Sequence, residues 1–67
     1  MDFVEKAQVR LNHWIAHNDS HQKEYETFAA QLEEAGKTAS AQQIREMAAL
    51  SEKSNQCLRK ALAALSQ

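Results

Sequence analysis

The sequence predicts an all-α fold, a two-helix antiparallel hairpin, from three observations. The 67 residues include no proline and a single glycine, Gly36, which sits near the middle. Apolar residues on both sides of it recur at alternating spacings of three and four, the period of a helical seam. Helix start and stop signals bracket each half.

Helix 1, about residues 2–35, opens at Asp2, which with Glu5 three residues later matches a capping box. Its predicted seam is Val4, Ala7, Leu11, Trp14, Asn18, His21, Tyr25, Phe28, Leu32 and Ala35. Gly36 suits the left-handed position after a helix end, where a Cβ would be penalised. The turn is placed at 36–39, and helix 2 at about 40–66, with the hydroxyl of Thr38 or Ser40 as its cap and Gln43 completing a box from Ser40. Its predicted seam is Ile44, Met47, Ser51, Ser54, Leu58, Ala61 and Leu65, with Ala48, Asn55 and Leu62 on the flank. The chain reads as one helical-hairpin domain over residues 1–67.

A short turn makes the helices antiparallel, so facing residues have numbers that sum to about 75. Leu32 then meets Ile44, Phe28 meets Met47, and Trp14 meets Ala61. The centre becomes a polar layer containing Asn18, His21, Ser54 and Asn55, flanked by packing residues Trp14, Tyr25, Phe28 and Leu58. Asn18 at a seam position is read as a register-setting residue, because misaligned pairing would leave its amide unsatisfied. A buried, neutral His21 would make the bundle loosen in acid.

Of the 29 apolar residues, 12 are alanine, so the core is thin and a chain of this size gains from a partner, a metal or a disulfide. The lone Cys57 excludes an internal disulfide and suits a reducing, cytoplasmic setting. Phe3, Ile15, Leu50 and Cys57 form a second apolar edge beside the seams, and a homodimer in an antiparallel four-helix bundle would cover it. Eight scattered basic residues balance nine acidic ones, which points away from nucleic acid. The longest apolar run, Ala61 to Leu65, is far short of a membrane span.

All three histidines, His13, His17 and His21, recur at spacing four on one helix face. His13 and His21 are about 12 Å apart by helix rise, too far to share one ion easily. His17, His21 and Glu24 are the more compact donor set, fit for zinc, nickel or iron, with water, Cys57 or another subunit filling the fourth position. The other reading makes His21 a hydrogen-bonded seam imidazole, and His13 and His17 solvated flank residues. No nucleophile with a local base, phosphate loop or paired acids in a pocket points to an enzyme.

The run His13-Trp14-Ile15-x-His17-Asn18-x-x-His21, with acidic and aromatic residues from Glu24 to Phe28, resembles a signature of small uncharacterised prokaryotic helical-hairpin proteins. That resemblance implies metal binding or trafficking rather than catalysis. The sequence therefore predicts a non-enzymatic, self-associating binding or accessory module with a transition-metal role for the histidine ladder. Its alternative is a structural interaction domain for a protein partner, in which the His/Asn layer sets pairing specificity.

Overall fold

The computed structural model describes residues 2–66, which form two helices, α1 (Phe3–Glu34) and α2 (Thr38–Ala64). At the start of α1 the Asp2 carboxylate accepts from the Glu5 backbone N–H at 2.8 Å, satisfying one of the first-turn donors. At its end the Gly36 N–H donates to the Glu33 carbonyl at 3.0 Å and the Lys37 N–H to the Leu32 carbonyl at 2.8 Å. This paired closure is a Schellman motif and needs a left-handed residue, supplied by Gly36 at φ 79°.

The reversal is tighter than a turn over 36–39. Lys37 is already the N-cap of α2, its carbonyl accepting from the Ala41 N–H at 3.0 Å. Thr38 thus lies inside the first turn, and neither it nor Ser40 supplies the predicted hydroxyl cap. The result is a rod of 51 × 16 × 11 Å. Its radius of gyration, 15.5 Å, exceeds the roughly 11 Å of a compact chain of this length.

The seam differs from the predicted one by a rotation. Leu11, Asn18, Tyr25 and Leu32 stay half-buried against α2, as do Ile44, Ser51, Leu58 and Leu65 against α1. The alternate positions move by one residue. Ala29, Ala41 and Asn55 are essentially sealed and Ala48 nearly so, and Ile15, Gln22 and Leu62 turn inward beside them. Trp14, Phe28 and Met47 are instead 46%, 50% and 39% exposed, and Ser54 and Ala61 are also on the surface. Trp14 and Phe28 are therefore rim residues of the hairpin rather than its core packing. The cause is steric: helices that meet along alanines approach closely, and an aromatic ring between the backbones would hold them apart.

The rotation gives the rod two unlike edges. Along one, Arg45 pairs with Glu33, and Arg59 with Asp19 at 3.0 Å and with Glu52 at 3.7 Å. Along the other lie Trp14, His21 and Phe28 of α1 with the exposed side of α2. There Ser40, Gln43, Met47, Leu50, Ser54, Cys57, Ala61 and Ala64 repeat the three-four spacing without a charge, while all six charged residues of α2 lie elsewhere. Leu50 on this stripe is 67% exposed. Near the turn the same edge holds an open depression of about 560 Å³ lined by Phe28, Leu32, Ala39, Ser40, Gln43 and Ile44.

The alanine contact makes a direct prediction for urea unfolding followed by helical circular dichroism. Ala29→Leu and Ala48→Leu should each destabilise by about 1–3 kcal/mol through overpacking. The exposed Ala30→Leu should stay within about 0.5 kcal/mol of the parent. Equal behaviour at positions 29 and 30 would contradict the close seam.

Candidate functional site

At mid-length the seam changes from apolar to polar. Asn55, 1% exposed, donates through Nδ2 to Asp19 Oδ1 at 2.7 Å and to the Ile15 carbonyl at 3.3 Å. Its Oδ1 accepts from Asn18 Nδ2 at 3.3 Å, so the two asparagines of the predicted polar layer do meet. Asp19 in turn accepts from Arg59 Nη2 at 3.0 and 3.2 Å, which ties the buried amide to the ion-paired edge. The network thus consists of Asn18, Asn55, Asp19 and Arg59, without Ser54 or His21. Ser54 turns to the surface, and the His21 side chain is 40% exposed on the opposite rim.

Asp19 and Arg59 were missed by a search confined to seam positions, although a signal for them was present. Their numbers sum to 78, as do those of Glu33 and Arg45, close to the value that pairs the seam residues. Opposite charges at facing flank positions were therefore legible. One layer on, Gln22 points its Oε1 into the interior, where no hydrogen-bond partner meets it among the described residues.

The histidine ladder lies outside this network. His17 Nε2 and His21 Nε2 are 2.8 Å apart, and His21 Nδ1 is 3.3 Å from Glu24 Oε2. A carboxylate only accepts, so Nδ1 of His21 holds a proton. In the neutral ring its Nε2 is then the acceptor, and His17 donates from Nε2. The chain of donation runs His17 to His21 to Glu24. Glu24 consequently meets the nitrogen of His21 that points away from His17, and it orients the ring instead of converging with both imidazoles.

His13 stacks over His17 at 6.2 Å between ring centroids, without a hydrogen bond, and Tyr25 stacks on the other side of His21 at 6.0 Å. Arg10 lies over the Trp14 ring at 6.0 Å, the outer limit of a cation–π contact. Among the described residues no three His, Cys, Asp or Glu side chains are grouped to hold a metal ion. The predicted set His17, His21 and Glu24 therefore reduces to two converging nitrogens, because Glu24 is engaged with the far side of one of them. With its imidazole partly in water beside Glu24, His21 also lacks the burial on which acid loosening was predicated.

The family model for a domain of unknown function, DUF8180, matches residues 7–65, which take in most of both helices, the turn, the asparagine network and the ladder. The chain belongs to the DUF8180 family. No curated protein and no solved structure matches it. For this DUF8180 hairpin, the described residues include no helix long and apolar enough to cross a membrane.

The polar seam makes opposite predictions at two neighbouring sites, read as urea midpoints. Asn55→Ala removes the amide that Asp19 and Asn18 bond and should destabilise by about 1–3 kcal/mol. Gln22→Met removes an unpaired buried carbonyl at similar volume and should stabilise by about 1 kcal/mol. A loss at Gln22 would mean that its amide has a bonding role.

Proposed function

We propose that this hairpin is a non-enzymatic helical module that works by self-association, two copies joining through the edges that carry the uncharged stripe of α2 into an antiparallel four-helix bundle. The observation that carries this is surface area. A folded monomer of 7.6 kDa ordinarily exposes about 4,300 Å², whereas this chain exposes 5107 Å². The excess of about 800 Å² is what one partner contributes to a standard stable interface.

The placement of charge says where that interface lies. The ion-paired edge already has its partners within the chain, and covering it would desolvate Arg45, Glu52 and Arg59. The other edge offers Trp14, Phe28, Met47 and Leu50 with no charge on the α2 side. Such a face is self-complementary under a two-fold axis. The exposed thiol of Cys57 belongs with a reducing compartment, and the module is assigned to the cytoplasm on that ground.

Sedimentation at about 10–100 μM should give twice the 7.6 kDa chain mass. Leu50→Glu should return the chain to a monomer with helical content intact, because Leu50 takes little part in the intrachain seam. Lys53→Glu, on the charged face of α2, should remain dimeric. A parent protein that is monomeric throughout this range would sink the reading.

A further inference from the structure

The ladder is half of a coordination site. Two bonds of about 2.1 Å to nitrogens 2.8 Å apart subtend an angle of about 85° at a metal, and a small opening of the rings brings it to the tetrahedral value. The lone pair of His21 Nε2 already points toward His17, because Glu24 holds the proton of that ring on the other nitrogen. A carboxylate behind a ligating imidazole is the arrangement that fixes its tautomer and raises its basicity. For His17 to ligate as well, it need only move its own proton to Nδ1. The remaining positions have no donor from the same chain among the described residues.

The position of the pair along the rod supplies those donors. α1 runs from residue 3 to residue 34, so its midpoint falls between residues 18 and 19, and His17 and His21 straddle that point. An antiparallel dimer in full overlap has its two-fold axis at mid-length. His17 of one chain then lies within one residue, about 1.5 Å along the axis, of the level of His21 of the other. The same axis places Leu50 opposite Ala61 and Met47 opposite Ala64 of the second copy, large residues against small along the uncharged face of α2.

We infer that two copies of this chain enclose one divalent transition-metal ion at their two-fold axis, held by His17 and His21 of each, with Glu24 of each as the orienting carboxylate. An all-imidazole set of this kind suits zinc or nickel. The inference rests on the self-association proposed above.

Zinc is titrated calorimetrically into metal-stripped protein, whose oligomeric state is first determined by sedimentation in chelator. The result expected is one zinc per two chains with a Kd below about 10 μM. His17→Ala or His21→Ala should weaken binding more than tenfold, and Glu24→Gln about tenfold. His13→Ala should leave it unchanged, with circular dichroism confirming that each variant is folded. Binding weaker than 10 μM, one zinc per chain, or equal loss in His13→Ala would overturn the shared site. A stripped protein that is dimeric yet binds no zinc removes this inference and leaves self-association standing. A stripped protein that is monomeric but pairs around one zinc does the reverse.

Discussion

The structure depends on the contact among small side chains between its helices. Ala29 and Ala41 are sealed and Ala48 nearly so, because two backbones have come close enough to leave nothing exposed at those Cβ atoms. Close approach narrows the stripe that each helix can bury. The larger residues consequently form a fringe of partly covered Leu, Ile and Tyr, and Trp14 and Phe28 are pushed beyond it. A hairpin built on leucine would have stood wider and enclosed its aromatics. Here the alanines that seemed only to thin the core decide which side chains the surface must display.

Much of the fold was legible in the residues. Gly36 located the reversal because only one residue type takes its φ without strain, and Asp2 located the first cap. The rotation of the seam was not legible in the same way. A three-four pattern through Leu11, Asn18, Tyr25 and Leu32 can be completed by Trp14, His21 and Phe28 or by Ile15, Gln22 and Ala29, stripes whose centres differ by about 50°. Hydrophobicity favours the first set. What favours the second lies across the interface, in Asp19 meeting Arg59 and Glu33 meeting Arg45 only when the helices turn that way. Individually such half-exposed pairs contribute under about 1 kcal/mol, but the buried Asn55 amide adds to them in the same direction. The histidine spacing was visible at once, whereas the nitrogen that Glu24 occupies required side-chain geometry.

The asparagine network and the histidine ladder occupy the same stretch of α1 yet have opposite surroundings. Asn55 is out of water, so each of its bonds has a geometric demand that a slipped register would leave unmet. The ladder stands at the rim, where imidazoles keep access to solvent and to another molecule. Asn18, Asp19 and His21 thus divide between holding the hairpin together and presenting a face. The division follows from helical geometry, since at about 100° per residue His21 points about 160° away from Asp19.

The Gly36 closure also orders the hairpin in time. Cross-helix partners lie 12 residues apart in sequence at Glu33 and Arg45, and 40 apart at Asp19 and Arg59. Once the first pair has met, each further one closes only a few additional residues of loop, so the entropic penalty is spread over many small steps. Loop entropy alone thus favours a zipper that starts at the turn, with the helix segments farthest from Gly36 the last to join. The polar network at mid-length then penalises a slipped register, which would leave the Asn55 amide without the bonds it makes to Asn18 and Asp19.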